Sequence, residues 1–460
     1  MKRVTIAEGS TQGKIVLGGE TLTGKTKPED TTATKLKRIA QRTGEDPQAE
    51  FKWLMPHFNE ESLIDCFNEL DGKKAVGVDS QTKEEYGRHL RRNIRGLIAR
   101  MKKMAYRPGP VREVRIPKEG SKRGFRTLGI SKVEDKIVQL MMSKILTAIY
   151  EPIFRDCSYG FRPGRSCHMA IRAVRDHLFR NSCEVVIDID IKDFFGSLNH
   201  KRLIEMLEIK IKDKTLLRYI VRMLRAGVLS NGELKVTEEG SPQGSMVSPI
   251  LANVYAHYTI DCWFEDVVKK HVRGAVELYR YCDDMVICCQ YRSDAEKIKR
   301  ALIKRLERFS LSLNVEKTKM VPFNKWKYRS GYKQGTFDFL GFTFYIGQSR
   351  RGNAIVKVKT SRKRFRSKLK RLKKWIRYNR DRARLKDLWM QYGVKVQGHV
   401  RYYGVSFNTD QVSLFRRRAA EIFVKWINRR SQRKSITLDQ FWKFFNEYPL
   451  PKATVYHHLF

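Results

Sequence analysis

The chain has 460 residues and carries 93 lysines and arginines against 49 aspartates and glutamates, a formal net charge of +44 at pH 7. This excess favours a nucleic acid backbone as the partner, and the length allows about two to four subdomains. Its eight cysteines form no Cys-x-x-Cys pair and no zinc spacing with the histidines, so we expect reduced thiols. Because the sequence shows no signal peptide and no membrane-spanning apolar run, it predicts a cytoplasmic protein without membrane contact.

The first fifty residues are rich in Gly, Thr and Lys and have little helical periodicity, which predicts a partly flexible N-terminal extension. Residues 19–26 match the Walker A phosphate-loop pattern letter for letter. That pattern works only at the start of a helix within a parallel sheet, and Pro28 followed by a polar stretch offers neither. We therefore interpret the match as coincidence.

The clearest strand lies at residues 185–191, where isoleucines alternate with Asp188 and Asp190. A period of two matches the alternation of side chains across a sheet. This pattern predicts a strand with one apolar and one acidic face.

A second acidic feature is the pair Asp283 and Asp284, which stands between apolar residues in the segment 278–287. Adjacent side chains of a strand point to opposite faces, so both acids reach one site only where the chain turns, as at a hairpin tip. Taken alone, the pair is also typical of a solvated turn. Together with the acidic strand about ninety residues earlier, it predicts carboxylates that converge on paired Mg²⁺ ions and bridge phosphates, which is the chemistry of a polymerase.

Residues 351–380 contain fourteen lysines or arginines and no acidic residue. Their apolar side chains fall at helical spacing and predict a helix with one packed face, formed by Phe365, Leu369, Leu372 and Ile376. The opposite face would be strongly positive. A basic amphipathic helix is typical of nucleic-acid binding and also of membrane-surface or calmodulin-target segments.

Six segments follow the order found in reverse transcriptases encoded by bacterial group II introns, which the chain resembles from about Trp53 to its C terminus. They are 115–118 with 126–130, 185–195, 240–249, 278–287, 313–319 and 337–342. Asp190 precedes Ile-Lys as in that family, and residues 281–284 read Tyr-Cys-Asp-Asp, where Cys282 replaces the usual alanine at a variable position. Residues 159–165, Tyr-Gly-Phe-Arg-Pro-Gly-Arg, are a further family-specific string.

The resemblance implies an α+β fold of the right-hand polymerase type, with fingers, a palm that contains an antiparallel sheet, and a helical thumb. Four regions are expected: the N-terminal extension at 1–50, a further extension with the fingers at 51–183, the palm with the catalytic site at 184–347, and a thumb or maturase RNA-binding region at 348–460. Relatives often carry a His-Asn-His endonuclease after the thumb. Its cysteine pairs and histidine spacing do not occur here, so we expect no endonuclease activity.

The resemblance also assigns the catalytic residues. The acids are expected to hold two Mg²⁺ ions, with the backbone carbonyl after the first acid as a further ligand: Asp190, Ile191, Asp283 and Asp284. Within this set Asp284 is expected to be an auxiliary ligand or an electrostatic support. Asp188 and Asp193 are expected to have structural or supporting roles.

The incoming deoxynucleotide is expected to contact seven residues: Lys118, Arg126, Ile191, Phe195, Gln243, Gly244 and Lys317. Lys118 and Arg126 would hold the β- and γ-phosphates, where guanidinium geometry suits two-point contact. Phe195 would collide with a ribose 2′-hydroxyl and thus favour DNA synthesis over RNA synthesis. Gln243 is typical of intron-type enzymes of ordinary accuracy and is replaced in mutagenic relatives.

Contacts with template and duplex are expected from basic residues of the fingers and thumb: Arg112, Arg162, Arg165, Arg364, Lys368, Arg371 and Lys374. Arg162 and Arg165 belong to the family-specific string and are expected to meet the template backbone. The alternative is that this string is simply a basic surface loop.

The function implied by the resemblance is that of an RNA-directed DNA polymerase in the bacterial cytoplasm, using an RNA template, a DNA primer, dNTPs and Mg²⁺. A maturase role is also implied, in which the protein binds its intron RNA for splicing and target DNA for mobility. Two alternatives stay open, a domesticated relative in DNA repair or phage defence and a non-catalytic RNA-splicing factor. The sequence leaves the oligomeric state open.

Overall fold

A computed structural model of the chain describes residues 31–117, 124–230, 233–236, 239–241, 244–330, 334–430 and 436–459. The Walker-like match at 19–26 and two predicted nucleotide-binding residues, Lys118 and Gln243, lie outside these ranges.

The helices within the described ranges are α1 (Thr32–Glu45), α2 (Glu60–Glu69), α3 (Lys83–Gly87), α4 (Leu90–Lys102), α5 (Val133–Tyr150), α6 (Cys167–Arg180), α7 (His200–Glu208), α8 (Lys214–Leu224), α9 (Ser248–Ala256), α10 (Lys269–His271), α11 (Arg292–Arg308), α12 (Arg362–Asn379), α13 (Leu385–Tyr403), α14 (Thr409–Ile427) and α15 (Leu438–Glu447). Between α9 and α10 the helical path widens into two π-helical stretches, His257–Asp261 and Phe264–Val268. Helices α2 and α3 begin at capping boxes, in which Asn59 and Thr82 accept backbone amides three residues on.

The strands in the same ranges are β1 (Val111–Pro117), β2 (Phe125–Ile130), β3 (Val185–Asp190), β4 (Val228–Ser230), β5 (Glu233–Lys235), β6 (Val276–Tyr281), β7 (Asp284–Cys289), β8 (Lys319–Pro322), β9 (Phe337–Phe339), β10 (Phe342–Gln348) and β11 (Ala354–Thr360). They form three sheets with the orders β2-β1-β4-β5, β6-β7-β3-β8 and β11-β10-β9. Every pairing in the second and third sheets is antiparallel.

Helix α1 lies where weak periodicity predicted a partly flexible extension. The structure differs from residue 32 onward, because Ile39 is buried in a hydrophobic core and α1 packs against α5. The residues that contact this helix lie about a hundred positions later in the chain. The local hydrophobic pattern of residues 1–50 therefore does not reveal these contacts.

The central β3 strand has the two faces that the sequence predicts. Ile187 and Ile189 are buried in a first core that also contains the N-terminal helices. Val186, on the opposite face, belongs to a second core shared with β9 to β11 and the C-terminal helices. The palm sheet therefore lies between two hydrophobic cores, and its acidic residues stand at the end of one face.

The predicted boundary between palm and thumb at residues 347 and 348 falls at the end of β10. Strands β10 and β11 pair along their whole length, from Phe342 opposite Thr360 to Gln348 opposite Ala354. The boundary at 347/348 thus lies within a pair of hydrogen-bonded strands, and the first helix after them is α12. The predicted apolar face of α12 is confirmed, because Leu372 and Ile376 are buried and Phe365 and Leu369 pack against the second core.

The arrangement confirms the predicted α+β class, with antiparallel sheets between helical layers. All eight cysteines are free thiols, as the sequence predicts. Within the described ranges, no helix combines the length and apolar character needed to cross a membrane.

Candidate active site

The two acidic segments meet at one edge of the palm sheet. Tyr281 pairs with Asp284 in the β6–β7 hairpin, which leaves Cys282 and Asp283 as its two-residue turn. Cys282 has a φ of 60°, the left-handed conformation that such a tight turn requires. On the other side of β7, Asp190 lies directly opposite Asp284. The predicted convergence of the two acidic segments is therefore present in the structure.

A buried arginine, Arg280, stabilises this turn from the protein interior. The side chains of Arg280 and Asp261 are both fully buried, and their charged groups form two hydrogen bonds of 2.7 and 2.6 Å. Arg280 also donates to the carbonyl oxygen of Cys282 at 3.2 Å and to the hydroxyl of Ser158 at 2.7 Å. The turn that carries Asp283 is thus attached to an ion pair in the interior of the palm.

The family-specific string contributes a second support for the turn. A Cβ atom on Gly160 would lie 2.7 Å from the backbone nitrogen of Cys282, so only glycine lets the two backbones approach this closely. Asn253 donates to the Gly160 carbonyl at 2.8 Å and accepts from Arg280 at 3.1 Å. Sequence reasoning missed the roles of Arg280 and Asp261. The period of β6 held one clue, since Arg280 shares the buried face of Val276 and Leu278.

Burial and mutual repulsion oppose ionisation of the acids. Burial, followed by the neighbouring acids Asp188, Asp283 and Asp190, raises the pKa of Asp284 to about 7, although the Leu340 amide acts in the opposite direction. Burial and the charge of Asp338 raise the pKa of Asp188 to about 6. The Asp283 side chain is exposed at the tip of the turn, yet partial desolvation by the surrounding protein still raises its pKa. A cation placed among these acids would favour their charged forms.

The donor set fits Mg²⁺, which takes carboxylate and backbone carbonyl oxygens. Within the ranges described, no group of three or more His, Cys, Asp or Glu side chains forms a ready-made metal site. Asp190 is instead paired with Lys317, whose ammonium nitrogen lies 3.1 Å from a carboxylate oxygen. The lysine thus supplies the positive charge beside this acid, and the buried Ile191 follows directly at the end of β3.

Of the predicted nucleotide residues that the structure describes, Arg126 and Lys317 carry charges that act on these acids. The positive charge of Arg126, on β2, favours ionised Asp283 and so opposes the rise in the pKa of that acid. Gly244 has a φ of 108°, and a Cβ atom there would lie 2.8 Å from the carbonyl oxygen of Gly129. The pocket loop (residues 240–249) therefore contacts the hairpin formed by β1 and β2 through Gly244.

Phe195 belongs to a short 3₁₀ turn, Phe194–Ser197, that follows β3. Asp193 precedes this turn and has a φ of 38°. The Phe194 ring is buried and meets the Phe195 ring at 75° with 5.7 Å between centroids, whereas Phe195 is only half-buried. The Phe195 carbonyl accepts the amide of Ser241 at 2.8 Å, which brings the pocket loop alongside. As the sequence suggests, Phe194 fills the first core, and Phe195 packs against the same core while staying partly exposed.

Three predicted template contacts are occupied within the protein. Arg162 is buried and donates to Glu151 and to the carbonyls of Arg155 and Ser158. Arg165 pairs with Asp156 at 2.5 Å. Arg112 donates to the Val76 carbonyl at 2.8 Å. Buried Arg162 cannot reach a template backbone, so that expectation is corrected. The nitrogens of Arg165 and Arg112 that make these bonds hold loops in place.

The four predicted residues of α12 lie closer to the protein surface. Arg364, Arg371 and Lys374 are exposed on α12, and Lys368 is half-buried. They stand within three or four residues of one another on a helix without any acidic residue. Most of this part of the predicted basic surface is therefore exposed to solvent.

Residues 116–344 match the family model described as "Reverse transcriptase (RNA-dependent DNA polymerase)". Protein YkfC of Escherichia coli strain K12 is 30% identical over 317 residues, which are 62% of this chain and 80% of that protein. Group II intron-encoded protein LtrA of Lactococcus lactis subsp. cremoris is 37% identical over 186 residues, 40% of this chain and 30% of that protein. The chain belongs to the group II intron-encoded reverse transcriptase family.

The family range contains all three predicted catalytic acids and ends before the thumb helices. A protein encoded in the cob intron of Schizosaccharomyces pombe is 42% identical over 161 residues, 35% of this chain and 20% of that protein. The alignments thus cover about a third or less of the intron-encoded relatives LtrA and the cob intron protein. They confirm the family that the motifs predict.

Proposed function

We propose that the chain is an RNA-directed DNA polymerase that extends a DNA primer on an RNA template by two-metal nucleotidyl transfer. The observation that supports this most directly is the pairing of Asp190 with Asp284 beside the turn that carries Asp283. Such a set of partly buried acids is unfavourable without a cation and suits a reaction in which phosphate charge must be compensated.

In this proposal Asp190, Asp283 and the carbonyl of Ile191 hold two Mg²⁺ ions, with Asp284 as auxiliary ligand or electrostatic support. The ions would bridge the phosphates and stabilise the attacking and leaving oxygens. The protein contributes orientation, because Asp190 stands on a central strand and Asp283 on a turn fixed through Arg280. Asp188 and Asp193 remain supporting residues.

The triphosphate would be held by cations around the acids. Arg126, whose charge acts on Asp283, is proposed to bind the β- and γ-phosphates together with Lys118. Lys317 pairs with Asp190 and would exchange that acid for pyrophosphate oxygens when nucleotide and Mg²⁺ enter. Gly244 and Gln243 would line the base and sugar side of the pocket.

The purified protein should therefore make cDNA from a primed RNA template when Mg²⁺ and dNTPs are supplied. Primer extension on denaturing gels measures this directly. Absence of any product on RNA and DNA templates over a wide Mg²⁺ range would contradict the proposal.

The choice of sugar gives a first specific prediction. Replacing Phe195 with alanine should open space beneath the sugar and lower the preference for deoxynucleotides over ribonucleotides by roughly 10- to 100-fold. The measurement is the ratio of kcat/KM values for matched dNTP and rNTP. Phe194→Ala is a control for the loss of an aromatic ring, because Phe194 is buried in the core and should change stability rather than the ratio. If the ratio of kcat/KM values is unchanged in an active Phe195→Ala protein, Phe195 has only a packing role.

We further propose a maturase role, in which the positive face of α12 binds structured RNA. The supporting observation is a helix whose exposed face carries basic side chains and whose own sequence contains no acidic residue. Many phosphate contacts of this kind release counterions, so affinity should fall steeply with salt.

Replacing Arg364, Lys368, Arg371 and Lys374 with glutamine should flatten this salt dependence. If each contacts one phosphate, the slope of log affinity against log salt should fall by about 3 to 4. Filter binding of a structured group II intron RNA at several salt concentrations measures the slope. A matched control replaces four exposed basic residues of α11, which also removes four charges: Lys297, Arg300, Lys304 and Arg308. Equal losses in both variants would show a non-specific charge effect and no dedicated thumb surface.

A further inference from the structure

The turn between β9 and β10 joins the palm acids to the thumb. Leu340 and Gly341 form this turn with φ values of 49° and 82°. The Leu340 amide donates to a carboxylate oxygen of Asp284 at 3.4 Å, and its carbonyl accepts from the Tyr402 hydroxyl at 2.9 Å. One peptide unit on each side of Leu340 thus connects a proposed catalytic acid with helix α13.

The conformation of Leu340 needs outside support. A leucine at positive φ is strained, and such strain persists only where surrounding contacts determine the backbone. The Leu340 side chain packs against the second core. A Cβ atom on Gly341 would lie 2.9 Å from the Tyr403 hydroxyl, so the turn sits tightly against the last residues of α13. The end of this helix therefore determines where the Leu340 amide points.

Tyr402 is itself held firmly. Its ring stacks on Phe342 with 5.7 Å between centroids, and its carbonyl lies 2.8 Å from Nε2 of His168 on α6. Burial raises the pKa of its phenol well above the ordinary range. The hydroxyl consequently stays protonated and remains a hydrogen-bond donor to Leu340.

We propose that Tyr402 is a positioning residue, whose hydroxyl fixes the Leu340–Gly341 turn so that the Leu340 amide orients the Asp284 carboxylate for metal binding. The inference rests on the proposed two-metal function. It goes beyond that function because it makes the metal site depend on a thumb residue that touches neither substrate nor metal. Displacement of the end of α13 would then weaken metal binding in the palm.

The test is Tyr402→Phe, which removes one oxygen atom and keeps the ring. Loss of a hydrogen bond that supports a metal ligand indirectly typically costs 10- to 100-fold in metal affinity or activity. Because Tyr402 acts through one intervening residue, Leu340, we expect the lower end of this range. The Mg²⁺ concentration for half-maximal primer extension should rise about tenfold. Saturating Mg²⁺ should restore most of kcat, and KM for the RNA–DNA duplex should not change.

Tyr392→Phe is the matched control. Tyr392 lies on the same helix, and its hydroxyl donates to the Ala419 carbonyl at 2.9 Å, the same length as the Tyr402 bond. This variant loses an equivalent thumb hydrogen bond without a link to Asp284. Its thermal unfolding should match that of Tyr402→Phe, while its Mg²⁺ dependence should stay that of the parent protein.

A binding measurement separates this inference from the proposed function. Binding of Mn²⁺ to the protein without nucleic acid, followed by electron paramagnetic resonance, should weaken about tenfold in Tyr402→Phe and remain unchanged in Tyr392→Phe. Parental Mn²⁺ binding in Tyr402→Phe, or equal weakening in both variants, would overturn the positioning role. A parent protein that binds Mn²⁺ but makes no cDNA would contradict the polymerase proposal alone.

Discussion

Replacing Asp283 with asparagine should lower primer extension by roughly 1000-fold. The change removes one formal charge from the proposed metal site and keeps nearly the same shape. Charge stabilisation by such a site is worth several kcal/mol, and about 4 kcal/mol corresponds to roughly three powers of ten in rate. Single-turnover extension of a DNA primer on an RNA template measures the loss.

The fold and the RNA affinity should survive this change, because Asp283 is exposed at the tip of the β6–β7 turn. Asp65→Asn is the control, since Asp65 is an exposed acid on α2 and the same charge is removed outside the palm. If the chain is also a maturase, Asp283→Asn should still assist intron splicing, because RNA folding needs the basic surface and not the metals. Extension near the parental rate would remove the basis of the catalytic assignment. Loss of both activities in a folded protein would require the maturase proposal to be rebuilt around the palm.

Replacing Asp261 with asparagine should destabilise the palm by about 3–5 kcal/mol, the usual cost of leaving one partner of a buried ion pair without its counter-charge. Arg280 has no access to solvent and would keep its charge against a neutral amide. The Cys282 carbonyl accepts a hydrogen bond from the same guanidinium, so the turn that carries the proposed metal ligand Asp283 should also loosen and extension should fall. Chemical denaturation followed by fluorescence measures the stability.

Asp266→Asn is the matched control for this prediction. Asp266 lies five residues later in the π-helical region, and its carboxylate forms a 2.8 Å ion pair with Arg155. That pair is partly exposed, and surface pairs contribute only about 0–1 kcal/mol. Equal stability of the two variants would show that the buried pair does not hold the palm together. An apolar double variant, Arg280→Met with Asp261→Leu, should recover stability more than activity, because it removes the unpaired charge but also the bond to Cys282.

The elements that the sequence predicts best are those whose pattern repeats within a few residues. Alternation in β3 assigned its two faces, and the spacing of apolar residues in α12 assigned the side that packs. The adjacent acids Asp283 and Asp284 required a turn for both to reach one site, and the β6–β7 hairpin provides it. In each case the side chains follow the period of the backbone, which is two residues in a strand and about 3.6 in a helix. Spacing along the sequence therefore shows which side chains share a face.

The weaker predictions concern residues whose partners lie elsewhere in the chain. Arg162 lies in a basic string that predicts a template contact. In the fold, however, its guanidinium is buried and bound to Glu151. The predicted palm–thumb boundary at 347/348 lies inside the β10–β11 hairpin, because the basic run conceals a strand that pairs with the preceding one. A charge count does not reveal which cations are already satisfied by the protein.

Residue type and local spacing are enough to identify the family, to predict the acidic residues of the proposed site and to give the order of the palm elements. How those acids are held depends on contacts that form only in the folded chain. The Arg280–Asp261 pair and the path from Tyr402 through Leu340 to Asp284 join residues 19 to 62 positions apart. These groups pair with one another because they are buried. A charge or hydroxyl removed from water must form its hydrogen bonds within the protein. Which distant group supplies them is fixed by packing.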